Sequence, residues 1–156
     1  MEYNDLIQGF AAKFGIEGTA TEDGITMFEI DGLRFAVIDE AGGGRILLYG
    51  ILGEAAPDAS ERLCRTLLEA NHLLMATKGA TLSRNPETGE FALCQALKHP
   101  DELEVDGFSD VFKDFVDTSE LWHKVIAGLS TAETLATKAD EEDFPPSFPG
   151  HSIIPV

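Results

Sequence analysis

The side chains that most often carry chemistry are sparse in this 156-residue chain and fall at spacings that do little. His72, His99, His123 and His151 stand at no metal-ligand interval, and neither Cys64 nor Cys94 has a second cysteine two residues away. No metal site is expected. Glu69-Ala70-Asn71-His72 has the outline of a zinc-protease helix but lacks the second histidine at the four-residue step. Gly42-Gly43-Gly44 is not followed by the Lys-Ser/Thr pair of a phosphate loop and reads as a connection between strands. Asp106, Asp110, Asp114 and Asp117 recur at helical steps, the pattern of a solvated helix face more than of paired acid and base. Ser60, Ser83, Ser109 and Ser119 have no Gly-x-Ser-x-Gly context and no evident base. The chain is therefore not expected to be an enzyme, and no cofactor is implied.

What remains is a surface chemistry set by charge and apolar patterning. Twenty-eight acidic against 11 basic residues give a net charge of −17. Phosphate binding needs clustered Lys and Arg, so nucleic acid and anionic membrane surfaces are not expected as partners, while a basic or apolar partner stays open. The longest apolar stretch, Ile46-Leu47-Leu48-Tyr49-Gly50-Ile51-Leu52, is far short of the roughly 20 residues of a membrane span. The acidic start Met1-Glu2-Tyr3-Asn4-Asp5 is unlike a secretory leader, and the two cysteines lie in apolar periodic segments as expected of buried, reduced thiols; the expected location is the cytoplasm.

The elements that must position these surfaces follow from periodicity. Tyr3, Leu6, Ile7, Phe10, Ala11 and Phe14 form one helical face, started by Asn4 or Asp5 and stopped by Gly15. Ile25–Ile30 and Leu33–Ile38 flank Asp31-Gly32, a strong hairpin signal. That turn places Ile30 opposite Leu33, Phe28 opposite Phe35 and Thr26 opposite Val37 on a core side. Ile25, Met27, Ala36 and Ile38, with the Glu29/Arg34 pair, fall on a second, partly covered side. Arg45–Leu52 is apolar enough for a central strand. After Pro57, Asp58 and Glu61 resemble a helix start, and the helix is predicted to continue to about Lys78 with Gly79 as its stop. Its apolar stripe is wide, with Leu63, Leu67, Ala70 and Leu74 beside Cys64, Leu68, Asn71 and Met75, a pattern that suits a dimer-forming helix. Asn71 in that stripe either bonds nearby backbone or sets register at a dimer seam. A second hairpin joins 80–84 to 91–97 through Asn85-Pro86-Glu87-Thr88-Gly89, and a long helix runs from Val105 through Phe112, Phe115 and Trp122 to Leu129. Residues 1–139 read as one domain, and the acidic, proline-containing 140–156 as a mobile tail.

The run Leu67-Leu68-Glu69-Ala70-Asn71, then Gly79-Ala80-Thr81-Leu82-Ser83, then Glu87 to Leu97, within this order of elements over residues 3–129, resembles the Tir chaperone (CesT-like) family of type III secretion effector chaperones. The resemblance implies an α+β fold of the order α-β-β-β-α-β-β-α, with an antiparallel twisted sheet packed against helices. It further implies a homodimer that holds an extended N-terminal segment of a secreted effector, keeping it soluble and export-competent without ATP. Strand addition with alternate side chains in apolar grooves is a physical route to such binding. Ile25, Met27, Ala36 and Ile38, with Phe10 of the first helix, are the expected partner-binding residues; Leu63, Leu67, Asn71 and Leu74 are the expected dimer interface. The excess of acid also suits an alternative, an inhibitor or immunity protein that neutralises a basic toxin.

Overall fold

In the computed structural model, residues 2–17, 19–20, 24–40, 44–55, 61–98 and 102–136 are described. The 140–156 tail and the Asp58 helix start lie outside them. The elements are α1 (Tyr3–Phe14), β1 (Thr19–Ala20), β2 (Ile25–Ile30), β3 (Leu33–Glu40), β4 (Arg45–Glu54), α2 (Glu61–Ala70), a 3-10 turn (His72–Leu74), β5 (Thr81–Arg84), β6 (Glu90–Lys98) and α3 (Val105–Ala136). The strands form one antiparallel sheet in the order β1-β2-β3-β4-β6-β5. This is the expected α+β order with one addition, the two-residue β1, too short to leave a periodic signal.

The first hairpin has the expected register, Ile25↔Ile38 through Ile30↔Leu33. Asp31 and Gly32 take φ of 50° and 80°, the left-handed pair that a two-residue turn between twisted strands requires. β4 lies between β3 and β6, in the sheet's interior as its composition suggests. Between Ile51 and Gly53 its pairing with β6 shifts by a bulge, where Gly53 takes φ 114° and His123 of α3 sits with Nδ1 2.6 Å from the Leu52 carbonyl oxygen. A carbonyl only accepts, so Nδ1 carries the imidazole proton there.

The helices pack on one face of the sheet. Thr26, Phe28, Phe35, Val37, Ile46, Leu48, Leu52 and Leu93 are all buried beneath them. Phe10 of α1 meets Phe28, Phe108 and Phe112 with ring centroids 5.6, 5.1 and 4.9 Å apart, mostly edge to face, the geometry that aromatic quadrupoles favour. α3 crosses closest at Gly50, where an added Cβ would lie 2.8 Å from Ser119 Oγ, 3.2 Å from the Phe35 ring and 3.3 Å from the Phe115 ring. Glycine is needed there for closeness.

Two helix boundaries differ from expectation. α1 is preceded by Glu2, which makes no side-chain cap, and ends as expected at Gly15 in the left-handed region. α2 stops at Ala70 and does not reach Lys78: Leu73, Leu74 and Lys78 take φ of 57°, 55° and 50°. A non-glycine residue held there costs about 1–3 kcal/mol, offset by ties that cross the segment. The Trp122 indole N–H donates to the Ala76 carbonyl at 3.1 Å, and Thr77 Oγ1 donates to the Ala80 carbonyl at 2.5 Å. Cys64, expected to be buried, is exposed on α2, and Cys94 is half-buried; both are free thiols.

Gly50→Ala is expected to destabilise the chain by about 1–3 kcal/mol through overpacking against α3, read as a lower denaturation midpoint with unchanged slope. Phe112→Ala, which opens the aromatic cluster, is expected to cost about 3–5 kcal/mol in the same measurement.

Candidate functional site on the open face of the sheet

Successive strand residues point to opposite faces, so the residues between the core positions line the face away from the helices. Register joins them into rows across strands. One row is Ile25, Ile38, Leu47 and Ala96; the next is Met27, Ala36, Tyr49, Cys94 and Thr81. Glu29 pairs with Arg34 at the end of the face, where the Arg34 guanidinium also donates to Glu90 Oε1 at 3.0 Å. Ile25, Met27, Ile38, Leu47, Tyr49 and Cys94 are half-buried, their exposed parts forming an apolar surface.

The two titratable groups at its centre are held neutral. Burial raises the Tyr49 phenol above its ordinary range, with nearby Cys94 adding to the effect and the Asn85 side chain opposing it. Burial likewise raises the Cys94 thiol, opposed by the Ser83 hydroxyl 3.5 Å from Sγ. A row of five positions thus crosses the sheet with no ionised group in it. The rows at its centre suit apolar side chains of an adjoining molecule, and charge on this face is confined to its two ends, Glu29 with Arg34 at one and Glu40, Arg45 and Lys98 at the other.

The expected partner-binding residues fare differently. Ile25, Met27 and Ile38 stand on the open face. Ala36 shares it but is too short to rise past Met27 and Tyr49 and is itself buried. Phe10 does not belong: at 3% exposure it is a core residue, because the stripe of α1 that carries it faces the sheet and α3. The exposed aromatic of α1 is Phe14, with Lys13 Nζ 5.6 Å from its ring centroid. Sequence reasoning missed Leu47, Tyr49 and Ile51. Their alternation with buried Ile46, Leu48 and Leu52 was present, but the uniformly apolar run hid which side was open.

The expected dimer residues also divide. Leu63 and Leu67 are closed inside the chain's own core at 0% and 5% exposure, since this row of α2 meets β5 and α3. Asn71 is occupied by nearby backbone: Nδ2 donates to the Leu82 carbonyl at 3.0 Å, and Oδ1 accepts from the Leu82 N–H at 2.8 Å. Leu74 does reach the surface. It stands there with Leu68, Leu73 and Met75, which are 71%, 73% and 64% exposed, forming a second apolar surface on α2 and the turn after it. The early end of α2 created this cluster.

Among the described residues there is no group of three His, Cys, Asp or Glu placed to hold a metal ion. A cavity of about 100 Å³ beside Thr77, Gln95 and Thr118 is bordered by the Lys78–Asp114 ion pair and is small for an organic ligand. Asp106, Asp110, Asp114 and Asp117 are exposed along α3, a solvated row as expected. No helix among the described residues is long and apolar enough to cross a membrane.

Known structures share this arrangement. The HopA1-SchA chaperone-effector complex contains a chain 19% identical, with a TM-score of 0.61 over 78% of this chain and 93% of that one. A chain of the ExsC-ExsE complex is 20% identical with a TM-score of 0.66, covering 79% and 92%. A chain of the heterodimeric ExoU-SpcU complex from the type III secretion system of Pseudomonas aeruginosa is 16% identical with a TM-score of 0.60, covering 80% and 97%. At these identities the likeness is one of fold. No curated protein matches the chain. The model of the Tir chaperone protein (CesT) family matches residues 5–123, from α1 to the middle of α3 and across both apolar surfaces, and the chain belongs to that family.

Proposed function

We propose that this chain is a cytoplasmic type III secretion chaperone that binds an extended N-terminal segment of a secreted effector and keeps it soluble without ATP. The observation that carries the reading is the uncharged apolar patch formed by Met27, Ala36, Tyr49 and Cys94 beside Ile25, Ile38 and Leu47, open on a sheet whose other face packs against the helices. A monomer that leaves such a surface open has a use for it. An extended segment suits it because alternate side chains, about 7 Å apart along a strand, match the cross-strand rows. Family membership and the fold shared with chaperone-effector complexes support the same assignment. Binding of this kind needs no nucleotide, since burial of apolar surface supplies the driving force.

The working unit in this proposal is a homodimer joined through Leu68, Leu73, Leu74 and Met75. These residues replace the inward-facing Leu63 and Leu67 as the seam, and they lie off the open sheet face, so both surfaces can be occupied together.

Three outcomes are expected. Met27→Asp and Ile38→Asp each leave the chain folded and weaken client binding about 10- to 100-fold, the worth of one buried apolar side chain, measured by titration with the captured client. Leu68→Asp with Met75→Asp yields monomers in sedimentation without unfolding. The two cysteines report both surfaces at once: with iodoacetamide at neutral pH, exposed Cys64 is alkylated faster than Cys94, and bound client slows Cys94 further. The assignment itself is tested by pull-down from the native lysate with a high-salt wash. A secreted protein held through its N-terminal region in high salt supports it; a folded basic toxin released by salt overturns it in favour of an acidic inhibitor.

A further inference from the structure

An antiparallel strand at a sheet edge directs the backbone groups of alternate residues at its neighbour and of the others outward, where they template another strand. β5 is such an edge strand: among the described residues only β6 pairs with it. The outward groups at its middle, and those of the residue just before it, are already taken. Leu82 gives its N–H to Asn71 Oδ1 at 2.8 Å and receives Asn71 Nδ2 on its carbonyl at 3.0 Å, so one carboxamide stands in for the peptide group of an added strand. Two residues earlier, Ala80 donates its N–H to the Thr77 carbonyl at 3.1 Å and accepts Thr77 Oγ1 at 2.5 Å. Two residues later, Arg84 places a long charged side chain at the strand end, a further deterrent to pairing. The opposite edge is different: β1 covers β2 only at Thr26 and Met27, and among the described residues no strand flanks Phe28 to Ile30 on that side.

We propose that Asn71, aided by Thr77, is a specificity-determining lock that closes the β5 edge to strand addition, so that an extended polypeptide can add a strand only at the β2 edge. The proposal rests on the reading of an extended segment as client. Asn71 acts through backbone bonds and needs no contact with the client. Asn71 itself keeps helical backbone angles, φ −71° and ψ −15°, and the left-handed residues Leu73, Leu74 and Lys78 turn the chain back so that Leu82 meets its carboxamide.

The test uses the full chain, with Asn71→Ala and Asn71→Asp, the latter keeping the shape and the acceptor but losing the donor. The first readout is native-state exchange of the Leu82 amide hydrogen, which needs no client; it is expected to speed up about tenfold or more in Asn71→Ala, with a smaller change in Asn71→Asp. The second is line broadening by a spin-labelled peptide of about ten alternating valines and threonines, expected around Phe28 to Ile30 in the parent chain and also around Leu82 to Arg84 in Asn71→Ala. Unchanged Leu82 exchange in both variants, or broadening at β5 in the parent chain, overturns the lock. Should the peptide bind neither edge of the parent chain, the extended-client reading fails, and Leu82 exchange still decides the lock. If Asn71→Ala does not fold, Asn71→Asp carries both readouts.

Discussion

One close approach governs the architecture: α3 lies so near β4 at Gly50 that no side chain fits between them. From it follow the burial of Phe35 and Phe115, the seating of Phe112 among the other rings, and the room for Trp122 and His123 to reach backbone carbonyls on two separate segments. Because α1 and α3 both gather on this side, apolar demand there is met within the chain. Among the described residues, no helix covers the other side of the same strands. Its apolar residues are as frequent as strand composition makes them, yet they stay only half-buried.

The legible parts of the fold were those set by neighbours in the chain. The Asp31-Gly32 turn determines the register of β2 and β3 because a two-residue left-handed turn permits only one alignment, and the Asn85 to Gly89 turn does nearly the same for β5 and β6. The placement of β4 between β3 and β6 depends on pairings across α2, which no local pattern encodes. For that reason Leu47, Tyr49 and Ile51 escaped assignment to the open face although the face itself was recognised from Met27 and Ile38.

The errors in the candidate sites share one cause. A helical stripe tells which residues turn away from water, without telling whether the cover is the chain itself or another molecule. That pattern offers Phe10, Leu63 and Leu67 to intermolecular surfaces, and the structure spends all three on its own core. Asn71 was correctly singled out as an amide needing partners, and of its two readings the backbone one is realised, but over an eleven-residue separation that only the turned-back segment after α2 makes short. The continuation of that helix was misjudged for the same reason: Leu73 and Leu74 have good helix propensity, and their left-handed backbone is imposed by distant ties from Trp122 and Asn71.

The acidic row of α3 has a meaning for the molecule as a particle. Asp106, Asp110, Asp114 and Asp117 are exposed along α3, which packs on the face of the sheet opposite the apolar rows of β2, β3 and β4. These four carboxylates are thereby kept apart from the centre of the apolar rows, where charge is confined to the two ends. Copies approaching back to back repel strongly at the chain's net charge of −17, whereas copies approaching sheet to sheet feel that repulsion only through the thickness of the protein and, at physiological ionic strength, beyond a screening length of about 8 Å. Electrostatic repulsion between copies is thus weakest where the apolar rows meet, and the α3 carboxylates stay turned to water when those rows are covered.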